Sequence, residues 1–154
     1  MSELTYLEIA LERLLSIRPA VDAALAEAGL DPLTAFAQGA PDQIRETGTP
    51  YAWLEWEGSG DEPAEGAGGG VVPFTMTASV VVVLGAPQRE ALERACTRYG
   101  PRIAAVIERE ASGPYRILTG TPDLISKVGR GNRHLGAIAI PVVVTGWRTR
   151  TEVS

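Results

Sequence analysis

The chain is poor in the residues that build disulfides, metal centres and catalytic groups: its 154 residues include one cysteine, Cys96, and one histidine, His134. A single cysteine excludes an intrachain disulfide and a cysteine-based zinc site, and it suits a reducing cytoplasm. A catalytic triad or zinc site built on His134 needs partners that the sequence does not indicate. HExxH, GxSxG and metal-spaced acids are missing. Nothing in these residues therefore argues for an enzyme or for a metal site.

Long apolar runs are also missing from the sequence. No run approaches the roughly 18 residues that a membrane-spanning helix needs. The N-terminus, MSELTYLEIALERLL, carries acids where a secretory signal carries Lys or Arg, and it alternates polar with apolar positions. We therefore expect neither an export signal nor a membrane partner.

The charged residues are divided unevenly along the chain, whose net charge is -5. Residues 1–85 carry thirteen acids and three bases, whereas residues 86–154 carry eleven bases and six acids. An acidic half and a basic half would suit identical copies that associate head to tail. The two halves could equally interleave in space, because halves of a sequence need not be faces of a fold.

The length predicts a single domain, 1–154, with a hydrophobic core. Leucines at helical spacing predict a helical segment over 1–29 that is capped by Ser2 and interrupted at Pro19. Residues 30–50, rich in Pro, Gly and Asp, predict a surface connection. An apolar stripe predicts a helix over 87–110, with alternating Arg and Glu on its solvent face.

The strand pattern is strongest on both sides of a Gly-rich segment. YAWLEWE and VVPFTMTASVVVVL predict a β-hairpin over 51–84 with a mobile loop at 58–70. Strands are predicted again within 115–150, where Pro141 indicates an edge or a bulge. The order of elements predicts an α+β fold: a mostly antiparallel four-stranded sheet with helices on one face and a long hairpin loop.

The Gly-rich segment GSGDEPAEGAGGG, residues 58–70, could be a phosphate loop, a domain linker or an assembly loop. A Walker-type loop needs a Lys, and this segment has none. Its acids Asp61, Glu62 and Glu65 would repel an anion, and a strand follows where a dinucleotide fold needs a helix. The composition of the segment would also suit a linker between two domains. We interpret the segment as a mobile hairpin loop that functions in assembly.

A second long loop is predicted over residues 119–135, and this one is basic. It carries Lys127, Arg130 and Arg133 without interleaved aromatics, which is a weak signal for nucleic-acid binding. A contact with a partner protein or an ordinary solvated loop fits the same residues. The candidate assembly and interface residues are therefore Asp61, Glu62, Glu65, Lys127, Arg130 and Arg133.

The order of these elements, with the segments TASVVVVLGAPQREALERACTRYGPRIAAVIE and AIAIPVVVTGWRTRT, resembles the tail terminator, or tail completion, proteins of long-tailed bacteriophages. Related proteins occur in phage-derived particles such as gene transfer agents. The resemblance covers most of the chain and depends on architecture and length. The 30–50 connection and the break at Pro19 are additions to the leaner members of the family.

The resemblance implies a structural virion protein without an active site, metal or cofactor. Such proteins form a homohexameric ring that caps the tail tube, stops its polymerisation and joins the tail to the head. Its implied partners are other copies of the chain, the tail tube protein and a neck or connector protein, while DNA only passes through the lumen. The implied location is the tail-neck region of the virion, assembled in the host cytoplasm.

Two alternatives fit the same sequence. One is another neck or head-tail joining protein. The other is a small α+β ligand-binding or catalytic module, suggested by the aromatic strand, with Tyr51, Trp53, Trp56 and His134 near a pocket.

Overall fold

A computed structural model of the chain describes residues 4–45, 47–61, 70–130 and 133–149, without the side chains of residues 61, 126–130 and 149. Three helices and six strands follow one another along these residues. In chain order they are α1 (Tyr6–Leu15), α2 (Arg18–Glu27), β1 (Phe36–Gln38), β2 (Tyr51–Asp61), β3 (Val71–Ala86), α3 (Arg89–Glu110), β4 (Arg116–Thr119), β5 (Asp123–Arg130) and β6 (Arg133–Thr149).

The N-terminal helices begin at residues whose chemistry favours a helix start. Thr5, not Ser2, caps α1: its hydroxyl accepts a hydrogen bond from Glu8 N, and the Glu8 carboxylate accepts one from Thr5 N. Pro19 lies in the first turn of α2, where its missing N–H is harmless. The predicted interruption at Pro19 is thus the boundary between two helices.

The six strands form one mixed sheet in the order β1-β2-β3-β6-β4, with β5 also paired to β6. β1 pairs with β2 in parallel, and the other pairings are antiparallel. The predicted α+β class is confirmed, but the predicted four-stranded antiparallel sheet is wrong. β1 was missed because three residues are too few to show an alternation, and β5 because its Gly and basic residues indicated a loop.

The helices share one core with one face of the sheet. This core cluster includes Leu14, Leu25, Leu54, Phe74, Met76, Leu92, Ile103, Ile107 and Ile140. A second, smaller cluster lies on the opposite face, where Tyr51, Trp53, Val81 and Val83 are buried and Ala35 packs against them. Part of the 30–50 connection therefore covers one end of the face that the helices leave open.

The 30–50 connection is anchored to both the helices and the sheet. Leu33 is buried, its N–H donates to the Asp22 carboxylate, and its carbonyl accepts from Arg18 Nη2, both at 2.9 Å. Arg45 N donates to the Tyr51 hydroxyl at 2.8 Å, and the Arg45 guanidinium lies 4.9 Å from the centre of that ring. These contacts hold a segment of loop-like composition against the domain.

Pro141 pairs with Ser79 of β3 inside the sheet and in continuous register with it, whereas the sequence predicted an edge or a bulge. Its carbonyl accepts a hydrogen bond from Gly120 N at 2.8 Å, so its own nitrogen also faces away from β3. On that outer side, β6 pairs with β5 as far as Ala139 and with β4 from Val142 onward. Pro141 therefore occupies the gap between two outer strands, where its missing N–H costs no strand hydrogen bond.

The end of β4 is tied to α3 by a charged hydrogen-bond acceptor. The Glu108 carboxylate accepts from Thr119 N and from Thr119 Oγ1, both at 2.9 Å. The backbone hydrogen bond, and then the hydroxyl, hold the pKa of the Glu108 carboxyl below its ordinary value of 4.5. Because folding lowers this pKa, the ionised Glu108 carboxylate stabilises the fold fully at any pH above its unfolded pKa. This contribution to stability is lost as the pH falls through the folded pKa.

We expect Thr119→Val to remove the hydroxyl donor, keep the backbone donor and raise the pKa of Glu108 part of the way to its ordinary value. A carboxyl NMR titration measures this. Thr97→Val is the matched control, because the Thr97 hydroxyl donates to the carbonyl of Arg94, away from Glu108. An unchanged Glu108 titration in Thr119→Val would show that the hydroxyl contributes nothing.

Candidate assembly surfaces

The acidic candidate residues belong to the β2–β3 hairpin. From Tyr51 to Ala86 the sequence has five acids and no base. Asp61 is the last residue of β2 and pairs with Phe74, near the start of β3. Glu62 and Glu65 lie outside the described residues. The predicted loop at 58–70 starts too early, because Gly58 to Asp61 still pair with β3.

The basic candidate residues lie together at the tip of the β5–β6 hairpin. Lys127 pairs with Gly136, and Arg130 pairs with Arg133. Most of the predicted 119–135 loop is therefore strand. The composition of residues 119–135 is loop-like. The backbone N–H and C=O groups of β5 nevertheless find hydrogen-bond partners along the long strand β6.

The acidic and the basic hairpins lie at opposite ends of the sheet. Asp61 pairs beside the first residues of β3, whereas His134, next to Arg133, pairs with Ala86 at the last residue of β3. β3 has 16 residues, which at about 3.3 Å per residue gives roughly 50 Å between its ends. The two oppositely charged hairpins are thus separated in space, while Arg148 pairs with Val72 at the acidic end.

The Arg133 side chain lies against the end of the sheet. A Cβ added to Gly85 would come within 2.8 Å of Arg133 Nη2 and 2.9 Å of Thr49 Oγ1, so glycine allows this approach. Arg133 also lines a cavity of about 210 Å³ with Asp31 and Tyr99. The Tyr99 hydroxyl donates to the Asp31 carbonyl at 3.0 Å, and burial raises the pKa of Tyr99 above 10.0.

Two stretches of strand at the acidic end of the sheet have a neighbouring strand on one side only, among the residues that the structure describes. β1 pairs with β2 as far as Leu54, which leaves Glu55, Trp56 and Gly58–Asp61 paired with β3 alone, with a shift of register between Trp56 and Gly58. β4 pairs with β6 as far as Thr145, which leaves residues 146–149 paired with β3 alone.

The aromatic residues that suggested a ligand-binding or catalytic module lie on different surfaces. Tyr51 and Trp53 stack at 6.4 Å between ring centres, but both are buried on the face opposite the helices. Trp56 has the opposite parity in β2, pairs with Ala78 and is 51% exposed. His134 lies at the end of β6, beside Ala86. The aromatic residues of β2 therefore do not share one ligand surface.

An exposed apolar stripe crosses the part of the sheet face that the 30–50 connection leaves open. Leu118 pairs with Val143, and Trp147 lies four residues farther along β6 on the same face. All three are exposed, and Trp147 has 64% of its surface accessible. The alternation of β6 could have indicated this face, because Val143 and Trp147 have the parity opposite to Ile140. Whether this face of β6 is exposed depends on which other elements of the fold cover it, and the alternation does not show that.

A second apolar surface lies between α3 and β5. The groove has a volume of about 350 Å³, and Cys96, Pro101, Pro122, Leu124 and Ile138 are among its lining residues. Cys96 is half-buried and packs against the core.

Within the described part of the chain, no group of three or more His, Cys, Asp or Glu residues is arranged to hold a metal ion. No helix in that same part is both long and apolar enough to cross a membrane. Comparison of the sequence with protein-family models and with curated proteins gives no match.

Proposed function

We propose that the chain is a structural virion protein, a tail-terminator-like ring subunit that caps the tail tube, stops its polymerisation and joins the tail to the head or neck. Its partners are other copies of itself, the tail tube protein and a neck or connector protein. It acts in the tail-neck region of a phage or a phage-like particle, and DNA passes through the ring.

One observation carries the proposal: a single subunit presents an acidic hairpin and a basic hairpin at opposite ends of one long sheet. A protein that joins a tube to a neck must offer two different end surfaces. Charge complementarity at each end would select the correct partner and suppress the wrong one. The order of elements, which resembles that of tail terminators, supports the same function.

The acidic hairpin also suits a channel that DNA must cross. Its strands carry Glu55, Glu57 and Asp61 and no base. Bases that neutralise phosphates would hold DNA, whereas acidic or uncharged walls let it slide. We propose that this hairpin faces the lumen or the adjoining ring of the particle.

Disruption of the gene in the producing host tests the proposal. We expect tails that exceed their normal length and heads that carry no tail, because the tube then lacks its terminal ring. Negative-stain electron microscopy of the released particles measures both. Complementation with the wild-type chain is the control and should restore uniform tails. Tails of normal length attached to heads would contradict the proposal.

Complementation with charge-neutralised chains separates the two ends. One variant is Asp61→Asn with Glu62→Gln and Glu65→Gln, and the other is Arg130→Gln with Arg133→Gln. We expect each to impair a different junction, so that one yields overlong tails and the other yields capped tails without heads. If both variants complemented fully, charge at the two ends would have no role in joining.

A further inference from the structure

We propose that the cavity between the start of β6 and helix α3 binds a small aliphatic α-amino acid in its zwitterionic form. Arg133 and Thr49 would hold its carboxylate, and Asp31 would hold its ammonium group. The inference goes beyond the proposed function and does not depend on it. Three observations support it: converging hydrogen-bond donors, opposite charges that are not paired with each other, and an apolar wall around a small volume.

The cavity collects polar side chains from separate parts of the chain. Asp31 follows α2, Thr49 precedes β2, Tyr99 belongs to α3 and Arg133 begins β6. The cavity has a volume of about 210 Å³. Pockets for drug-sized ligands measure about 300 to 1,000 Å³, and a small number of polar groups fix the orientation of the ligand in them. This cavity therefore suits a smaller polar ligand.

Two hydrogen-bond donors converge over Gly85, near the end of β3. A Cβ at Gly85 would lie 2.8 Å from Arg133 Nη2 and 2.9 Å from Thr49 Oγ1, so these two atoms are no farther apart than both distances together. The backbone of Gly85 is not left-handed, so its conformation does not require glycine. A glycine inside a strand often marks a place where another group approaches the backbone closely. The two oxygens of a carboxylate can accept one hydrogen bond from each donor here.

The cavity is also lined by one positive and one negative side chain. Among the residues that the structure describes, neither Arg133 nor Asp31 takes part in an ion pair. Burial, and after it the Asp31 charge, raise the pKa of Tyr99, so the Asp31 carboxylate lies close enough to act on that hydroxyl. An anion alone is attracted by Arg133 and repelled by Asp31, and a cation alone experiences the reverse. A ligand that carries both charges is attracted by both residues.

Tyr99 and the apolar wall favour an α-amino acid among the ligands that carry both charges. The Tyr99 hydroxyl donates to the Asp31 carbonyl at 3.0 Å, which leaves its oxygen able to accept a hydrogen bond from an ammonium group. Pro50, Leu84 and Ala95 also line the cavity. These residues suit a small aliphatic side chain, because their contact with it removes apolar surface from water.

Isothermal titration calorimetry of the purified full chain tests the site with three compounds that share one isopropyl group. L-valine carries both charges, isovalerate lacks the ammonium group, and isobutylamine lacks the carboxylate. We expect L-valine to bind at one site with a Kd of about 1 mM or lower. Isovalerate and isobutylamine should each bind at least about 10-fold more weakly, because each loses hydrogen bonds to a charged group. Weaker binding of L-valine, or equal binding of all three compounds, would overturn the proposal.

Two conservative variants should change the preference among these compounds in opposite directions. Asp31→Asn should weaken L-valine binding at least about 10-fold and strengthen isovalerate binding, because the repulsion of an anion is removed. Arg133→Gln should weaken L-valine binding to a similar extent and strengthen isobutylamine binding. A loss of fold would weaken the binding of all three compounds. Asp123→Asn and Arg116→Gln are the matched controls and should bind as the wild type does, because both residues are exposed on other strands and do not line the cavity.

A methyl group at Gly85 tests the carboxylate end by itself. Gly85→Ala would displace the Arg133 and Thr49 donors, so it should weaken L-valine binding at least about 10-fold and leave isobutylamine binding unchanged. Thermal unfolding checks the fold of each variant. L-valine binding that Gly85→Ala does not change would overturn the proposal. Overlong tails after gene disruption without L-valine binding would retain the terminator function alone, and normal tails with L-valine binding would retain this site alone.

Discussion

Phe74→Ala should lower the free energy of unfolding by about 3 to 5 kcal/mol, the range measured when a buried phenylalanine is cut back to alanine. Phe74 is fully buried. Its ring meets Tyr6 of α1 edge-on, with 4.8 Å between ring centres, and lies 6.1 Å from Tyr115, just before β4. The substitution therefore removes contacts between the sheet, the first helix and the outer strand at once.

The loss is large against the stability of an ordinary domain, which is about 5 to 15 kcal/mol. Urea denaturation followed by tryptophan fluorescence measures it as a lower midpoint at an unchanged slope. Phe74→Leu keeps most of the volume and should cost less than about 1.5 kcal/mol if the rings repack. Leu118→Ala is the control at an exposed strand position, where we expect about 0.5 kcal/mol or less. A loss below about 1 kcal/mol for Phe74→Ala would contradict this account of the cluster.

Gly146→Ala should cost about 1 to 3 kcal/mol, although the change adds only one methyl group. A Cβ at position 146 would lie 2.7 Å from Tyr115 Cδ1 and 2.8 Å from Phe74 Cε1. Both rings belong to the same packed aromatic cluster, so neither can move without disturbing the other. Gly60→Ala is the matched control, because a Cβ there meets no heavy atom within 4 Å and the residue is also in a strand.

A double-mutant cycle tests whether the methyl group and the Phe74 ring compete for one space. In the Phe74→Ala background, Gly146→Ala should cost about 1 kcal/mol less than it does alone, because the cavity receives part of the methyl group. Compensation should be incomplete, since Tyr115 still approaches the same point. Strict additivity of the two changes in denaturation midpoints would show that the sites do not share that space.

Local patterns in the sequence were sufficient for the larger elements. The apolar stripe of α3 and the alternation of β2, β3 and β6 predicted those elements to within a few residues. β1 and β5 could not be predicted in this way, because a three-residue strand has no measurable period and β5 has a loop-like composition. Their strand conformation comes from neighbouring strands that offer hydrogen-bond partners, which is tertiary information.

The candidate surfaces show the same division. The sequence identified the acidic and the basic residues, and the pairing of β2 and β6 with β3 is what separates them to opposite ends of the sheet. The open edges had no signature, because an edge is defined by where another strand stops. The aromatic run in β2 does not show which residues share a face until parity is applied, which places Trp56 on the face opposite to Tyr51 and Trp53.

Pro141 limits how β6 can be misaligned during folding. β3 carries four consecutive valines at 80–83 and β6 three at 142–144, so shifting one strand by two residues would keep similar side chains on the same faces. The hydrophobic pattern alone therefore tolerates an incorrect alignment. Moving β6 by two residues against β4 or β5 would place Pro141 opposite an outer strand and leave a carbonyl there without its donor. A residue that forms no hydrogen bond through its nitrogen thus selects one alignment of a repetitive sheet.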